Sequence, residues 1–336
     1  MGAVLLTGAT GFVGKEILDR FLDRGRRVYA LVRAEDNDAA ARRLEPHANL
    51  TPVAGDIEQP DLGLASPPED VSTIVHCAAS VSFDLSLEES RRVNVEGTRN
   101  VLGLAKRCEQ LERLSYVSTA YVAGEPRGLF QENELDVGQS FRNPYERSKF
   151  EAERMLREHA DGVPLQVLRP SIVVGDSRTG RTSSFNVLYG PLKALARGAI
   201  PAIPGRRGSP VDVVPVDYVA DQAVDLAEHG SDGTYHLVAG RNATTVGRLL
   251  DLASAQFGRR PPAVLPPTAY RRLLHPWLRR KYTGLQRMEV YFPYFSMRVR
   301  FDDRRLGPAP PVEDYFHRLV GFAERARWGS AVPSTG

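Results

Sequence analysis

The first fourteen residues constrain this chain more than any other stretch. Ala3 to Leu6 is a short apolar run that reads as a buried strand, glycines follow at Gly8, Gly11 and Gly14, and a helical apolar pattern begins at Phe12. Strand, glycine turn and helix in that order make a cradle for a phosphate. Gly8 lets the chain turn sharply, Gly11 lets backbone N–H groups approach a pyrophosphate with no Cβ in the way, and Gly14 lets the helix pack close to the strand. The N–H groups of the first turn then face an anion. Three glycines in seven residues also suit an ordinary loop, so the reading rests on their place at the head of a strand-helix-strand unit. Val13, Ile17, Leu18 and Phe21 keep helical spacing, Gly25 ends the helix, and Val28 to Val32 is a second buried strand.

At 336 residues the chain is long enough for one large or two ordinary domains. Its 44 basic against 41 acidic residues, a net charge of +3, argue against a nucleic-acid partner, which selects for a strong basic excess. The two cysteines, Cys77 and Cys108, show neither metal-ligand spacing nor a disulfide framework, so no metal is expected and a reducing, cytoplasmic setting fits. The N-terminus enters its first strand at once, which leaves no room for a signal peptide. No apolar run approaches bilayer length, and Leu6 stands where a myristoylation motif needs Ser or Thr.

The second strand ends on Arg33, where an NAD-binding unit offers Asp or Glu to the adenosine ribose. A forked guanidinium there suits a 2′-phosphate and hence NADPH, although Glu35 and Asp36 follow closely and a solvent-facing arginine is the plain alternative. Leu50 to Ile57 reads as a third strand. Asp56 is placed either to accept from an adenine amino group or simply to form a turn. Ser72 to Ser80 is a fourth strand ending in small residues, with His76 read as a packed core histidine. Residues near 87 to 110 are helical, and Leu114 to Thr119 is a fifth strand. Strands alternating with helices at this rhythm predict an α/β fold, a Rossmann-like doubly wound parallel sheet.

Asn143-Pro144-Tyr145-Glu146-Arg147-Ser148-Lys149 opens a helix: Asn143 caps it, Pro144 suits its first position, and Glu146 nearly completes a capping box. Tyr145 and Lys149, four apart, share one face. An ammonium beside a phenol is expected to lower the phenol's pKa toward working pH, as a proton-transferring tyrosine needs. By itself Tyr-x-x-x-Lys is also a common solvated helix face. The hydroxyls of Ser118 and Thr119 at the end of the fifth strand, where such a sheet binds substrate, give it weight.

Gly8-x-x-Gly11-x-x-Gly14, Cys77-Ala78-Ala79, Val117-Ser118-Thr119, Tyr145-x-x-x-Lys149 and Leu168-Arg169-Pro170-Ser171-Ile172 together resemble the extended short-chain dehydrogenase/reductase superfamily, from residue 2 to about 255. Leu31-Val32-Arg33, His76 to Asp84, Asn94-Val95-Glu96-Gly97-Thr98 and Val117 to Val122 are most similar to its fatty acyl-CoA reductase and thioester reductase branch. The resemblance implies that Thr119 bonds the substrate oxygen, with Ser118 as the fallback. Tyr145 is then the proton donor, and Lys149 holds the nicotinamide ribose. For the cofactor it implies contacts from Gly8, Thr10, Gly11, Phe12, Val13, Gly14, Arg33, Asp56, Ile57, Ala78, Ala79, Lys149, Pro170 and Ile172. Members of that branch reduce thioesters of coenzyme A or of a carrier protein with NADPH, to an aldehyde and in some cases an alcohol. Multidomain members carry adenylation or carrier domains, so this chain is expected to receive its acyl thioester from elsewhere. Two other readings stay open: another extended activity, such as a ketone or hydroxysteroid dehydrogenase or a nucleotide-sugar epimerase, and a non-catalytic NADP-sensing module.

The nucleotide domain is expected over residues 1–175, with its sheet completed by roughly 211–255. Residues 176–210 and 256–330 are expected to form an interleaved, smaller substrate subdomain. Between Gly258 and Leu306 stand twelve Arg and Lys against three acids, among aromatics such as Tyr270, Trp277, Tyr282, Phe292 and Phe301. That stretch is read as an acyl tunnel with a basic rim, a docking face for acidic partners, a membrane-surface patch, or a small subdomain with an aromatic core.

Overall fold

Apolar five- and six-residue runs rich in Val, Leu and Ile are too short for helices and too apolar for surface loops, so they pair as buried parallel strands. The computed structural model describes residues 2–125, 128–185, 187–198, 201–277 and 289–330. Its first elements are β1 (Ala3–Thr7), α1 (Phe12–Asp23), β2 (Val28–Val32), α2 (Asn37–Ala41), β3 (Leu50–Ala54) and β4 (Val71–His76). They continue with α3 (Leu87–Arg91), α4 (Gly97–Ala105), β5 (Arg113–Val117), α5 (Pro144–His159) and β6 (Leu165–Pro170). After an excursion, α6 (Val216–His229) and β7 (Gly233–Leu237) return to the same sheet.

The seven strands lie in the order β7-β6-β5-β4-β1-β2-β3, and all six pairings are parallel. Leu5 pairs with Tyr29 on one side and Ile74 on the other. The chain order therefore reverses at β1, and the carboxyl ends of β1 and β4 are where doubly wound sheets take ligands. One face of the sheet is covered by α4 and α5: Leu5, Ile74, Leu114, Tyr116 and Val167 pack with Val101, Leu102, Ala152, Met155 and Leu156. These side chains are nearly all below a tenth exposed, and burial of each large one contributes about 1.5–3 kcal/mol.

The chain divides differently from the expected partition. One compact unit takes residues 1–124, 131–170 and 217–237, and the other takes 125–130, 171–216 and 238–336. The sheet is completed by α6 and β7 alone. Val213–Pro215 instead pairs in parallel with Ile172–Val174 inside the second unit, and residues 238–255 belong there too. The physical reason is that β6 ends at Pro170, so the segment that looked like its continuation starts a separate two-stranded pair.

In the second unit Val174, Tyr189, Leu192, Val213, Leu249, Phe316 and Leu319 form the main cluster. Ala202–Pro204 pairs with Ala263–Leu265, and Gly128–Phe130 with Val299–Phe301. The aromatics of the basic stretch enter this unit's packing. Tyr270, Tyr294 and Phe301 are buried, and Phe292 packs against Tyr270, Ala202 and Ile203. Of the four readings of that stretch, the aromatic core is the one seen in the described residues. Leu273 and Trp277 are exposed, and Tyr282 lies outside the described residues. No helix of the described residues is long and apolar enough to cross a membrane.

Candidate active site

Gly8 has φ +79°, a backbone that side chains rarely adopt, and a Cβ there would meet the Ala78 nitrogen at 2.6 Å. A Cβ on Gly14 would drive into the Gly8 carbonyl oxygen. Both glycines are therefore required by close approach, Gly14 to the turn itself more than to the strand. Gly11 is exposed, caps α1 without any side-chain hydrogen bond, and no acid stands in the helix's first turn. Thr10, Phe12 and Val13 are half-buried around it. The arrangement leaves first-turn N–H groups available to an anion, so these residues fit a dinucleotide pyrophosphate.

Arg33 follows β2 with its side chain 74 % exposed and 3.5 Å from Glu58, and its carbonyl accepts from the Arg43 guanidinium at 3.0 Å. Asp36 is used as the cap of α2, accepting from the Ala39 N–H. Asp56 accepts from the Glu58 N–H at 3.0 Å, which is the turn-forming role. Ile57 is buried against Gly97, and its carbonyl accepts from Asn100 at 2.8 Å. These residues share one edge of the sheet.

His76 closes β4 as a fully wired core histidine. Thr98 gives its proton to the Asn94 carbonyl at 2.6 Å, so it can only accept from His76 Nε2 at 3.0 Å. Nδ1 is then the bare nitrogen and accepts from the Thr7 hydroxyl at 2.7 Å, whose oxygen takes the Ala78 N–H at 3.2 Å. Burial, with the Lys149 charge nearby, pushes the imidazole down to about 3, so it stays neutral. This chain of bonds fixes Cys77, Ala78 and Ala79 against the glycine turn. Burial pushes the Cys77 thiol up to about 11, and the two cysteines are free.

The helix α5 begins as its sequence dictates. Asn143 accepts from the Glu146 N–H at 2.9 Å, and Pro144 occupies the first turn. Glu146 reaches the Arg142 N–H at 3.0 Å, one residue short of a true capping box. On this helix Tyr145 lies near enough to Thr119 for that hydroxyl to pull its pKa down, and the Thr119 oxygen accepts from the Tyr121 N–H at 3.2 Å. Ser118 points elsewhere and donates to Glu153 at 3.0 Å. Thr119 is therefore the hydroxyl brought to Tyr145, and Ser118 is not.

Lys149 is 2 % exposed, donates to the Val117 carbonyl at 2.8 Å, and lies 4.2 Å from the centre of the Tyr116 ring. Here one expectation is corrected. Burial pushes Tyr145 up to about 12, with the Thr119 hydroxyl pulling the other way, and pushes Lys149 down to about 7. The ammonium is spent on a strand carbonyl and an aromatic face, and desolvation of the phenolate outweighs it. Pro170 ends β6, and its carbonyl accepts from Thr119 at 3.4 Å. Ile172, expected beside it, opens a strand of the second unit.

Two features went unnoticed in the sequence. Between α3 and α4 the helix makes a π turn, Arg92–Glu96, an insertion found mostly at functional sites. Asn94 in that turn accepts from the Ser80 N–H at 2.8 Å and donates to the Ser80 carbonyl at 3.0 Å and to Ser148 at 2.9 Å. The signal was a polar stripe, Ser90, Asn94 and Thr98, at four-residue spacing on a buried helix face. The second is Glu153, four residues past Lys149, in a fully buried two-pronged pair with Arg169 at 2.6 and 3.1 Å. Among the described residues no three His, Cys, Asp or Glu are gathered as a metal site.

A doubly wound parallel sheet with a glycine turn and a tyrosine-lysine helix beside it is the arrangement of a dinucleotide-dependent oxidoreductase. Residues 6–223 match the NAD-binding family described as Male sterility protein. A probable fatty acyl-CoA reductase 5 of Arabidopsis thaliana is 24 % identical over 350 residues, covering 77 % of this chain and 71 % of that one. A carboxylic acid reductase of Segniliparus rugosus is 31 % identical over 282 residues, covering 69 % of this chain but 23 % of its own length. The crystal structure of the terminal R domain of the myxalamid PKS-NRPS pathway superposes with a TM-score of 0.83 at 29 % identity, covering 98 % of this chain and 92 % of that one. The chain belongs to the Male sterility NAD-binding family and is an NAD(P)-dependent oxidoreductase of the extended short-chain dehydrogenase/reductase type, in its acyl and thioester reductase branch.

Proposed function

We propose that the chain uses NADPH to reduce an acyl thioester, delivered on coenzyme A or on a carrier protein, to an aldehyde. What supports this reading is Thr119 at the end of β5 near Tyr145 on α5, with Lys149 one helical turn further on, buried and donating to Val117 of the same strand. The bound cofactor supplies the hydride. Thr119 and Tyr145 donate hydrogen bonds to the carbonyl oxygen as it gains negative charge, and loss of a thiolate then leaves the aldehyde. One thioester, one hydride from NADPH and one proton thus become one aldehyde, one free thiol and NADP⁺.

A phenol pushed up to about 12 keeps its proton at neutral pH. In the reductive direction it therefore enters the reaction as the protonated partner. If a second NADPH delivers another hydride to the aldehyde, the same hydroxyl would give its proton to the alkoxide, which makes an alcohol. Lys149 holds the nicotinamide ribose, and Gly8, Thr10, Gly11, Phe12, Val13 and Gly14 hold the pyrophosphate. Asp56, Ile57, Ala78 and Ala79 line the adenosine side, and Pro170 lies against the nicotinamide. Arg33, forked and largely exposed, takes the 2′-phosphate.

The test is incubation of purified protein with NADPH and a panel of acyl-coenzyme A and acyl-carrier thioesters, following cofactor oxidation and free thiol together. Thiol release in step with NADPH oxidation supports the reading. Turnover of a free ketone without thiol release overturns it.

A further inference from the structure

The loop between β4 and α3 is fixed at both ends and carries Val81, Phe83 and Leu85 at alternate positions between them. At its start Ser80 exchanges both backbone groups with Asn94, which also donates to Ser148, the residue before Lys149. At its end Ser86 caps α3 in a complete capping box with Glu89. Between them the Ser82 hydroxyl accepts the Asp84 N–H at 3.2 Å, so Ser82 serves the loop's own backbone, and the Asp84 side chain is exposed. Phe83 packs its ring on that of Tyr145, centroids 5.8 Å apart and tilted by 38°. Val81 is 60 % exposed, one of few large apolar side chains so placed in the described residues. A single surface valine argues nothing by itself. A rigid loop that sets one apolar ring against the proton-donating tyrosine, with a second apolar group two residues away, argues for a substrate wall.

Resting on the thioester reading above, we propose that Phe83 and Val81 form the wall against which the first methylenes of the acyl chain lie, so that this loop sets chain-length preference. The carbonyl held by Thr119 and Tyr145 carries two substituents. The pantetheine side bears amides and a hydroxyl, which need polar partners, whereas the acyl side asks only for apolar contact. Phe83 and Val81 offer only apolar contact. Their rigid mounting spares the ordering cost that a mobile loop would add on binding.

The experiment measures kcat/KM of the wild type, Phe83→Ala, Phe83→Leu and Val81→Ser with acetyl-, butyryl-, octanoyl- and dodecanoyl-coenzyme A, and with the matching N-acetylcysteamine thioesters. The expected result is a loss that grows with chain length in both carrier series. For Phe83→Ala the octanoyl to acetyl ratio falls about tenfold, in the range a lost methylene contact produces in a hydrophobic pocket. NADPH affinity and melting temperature identify folded protein, and if Phe83→Ala fails to fold, Phe83→Leu and Val81→Ser decide. The same loss at every chain length overturns the wall and leaves Phe83 as a support of Tyr145. A loss seen with coenzyme A but absent with N-acetylcysteamine overturns it in favour of the pantetheine arm. A wild type that releases no thiol from any thioester removes the parent reading instead, an outcome visible before any variant is compared.

Discussion

Thr119 at the end of β5 and Tyr145 on α5 bring their hydroxyls to one place from two elements, while Ser118, one residue earlier, turns its hydroxyl to Glu153. Alternation along the strand end separates the two neighbours. Tyr145→Phe and Thr119→Val are expected to lower kcat by about a hundredfold to ten-thousandfold with NADPH affinity changed less than about twofold, the range for a lost proton donor or oxyanion contact. Ser118→Ala should instead lower stability by about 1–3 kcal/mol by removing a bond to a buried carboxylate, with kcat reduced less than about tenfold. Steady-state kinetics with cofactor titration on the three variants checks this. Comparable kcat losses at Ser118 and Thr119 would reverse their roles.

Arg33 stands where a ribose-binding acid would stand, and Asp36 is engaged as the cap of α2. Its partner Glu58 also binds Arg92 at 2.8 Å, so the one carboxylate is shared between two guanidinium groups. Arg33→Ala should therefore weaken NADPH by about tenfold to a hundredfold while changing NADH by less than about threefold, since charge-assisted bonds to a phosphate contribute about 1.5–3 kcal/mol. Fluorescence titration with both cofactors is the measurement. Equal losses would remove the 2′-phosphate contact.

Much of this site was legible in the residue string, and the parts that were not share a cause. Gly8 and Gly14 announced a close approach because only glycine tolerates a left-handed backbone or a missing Cβ, and Asn143-Pro144 announced a helix start through local chemistry. Apolar runs marked the first five strands of the sheet. The pKa of Tyr145 was misjudged because i to i+4 spacing puts Lys149 on the same face but says nothing about what else the ammonium touches. Val117 and Tyr116, distant in sequence from α5, claim it. The choice between Ser118 and Thr119 depended on Glu153, another long-range partner. The division of the chain at Pro170 was hidden because an apolar strand reads the same whether it extends a large sheet or starts a small one.

His76 makes stability depend on acid. Its folded pKa, about 3, lies below the usual 6.5, so between those values the unfolded chain binds a proton that the native chain refuses. The contribution is fully present above about pH 6.5 and is lost as pH falls toward 3, at up to about 1.4 kcal/mol per pH unit. Urea melts of the wild type between pH 7 and 4 should show that slope. His76→Asn, though less stable at neutral pH through its broken bonds to Thr7 and Thr98, should show a flatter dependence over the same range. An unchanged slope in the variant would assign the acid sensitivity to other groups.

Arg169 and Glu153 are both 0 % exposed, and their pairing joins β6, the strand next to the sheet's edge, to the helix that carries Tyr145 and Lys149. The guanidinium also donates to the Glu134 carbonyl at 2.7 Å, and the carboxylate accepts from Ser118 and from Arg157 at 2.9 Å. Taking two charges from water costs several kcal/mol each, so the pair is stabilising only while both partners remain. Glu153→Ala strands a buried guanidinium and should cost about 3–5 kcal/mol. The double substitution Glu153→Leu with Arg169→Met removes both charges and should recover most of that loss, because an apolar pair of similar volume needs no desolvation. Denaturant melts of wild type, single and double variants form the cycle that measures this. A double variant no more stable than Glu153→Ala would mean that the polar bonds to Ser118, Glu134 and Arg157, rather than the charge pair, hold this layer together.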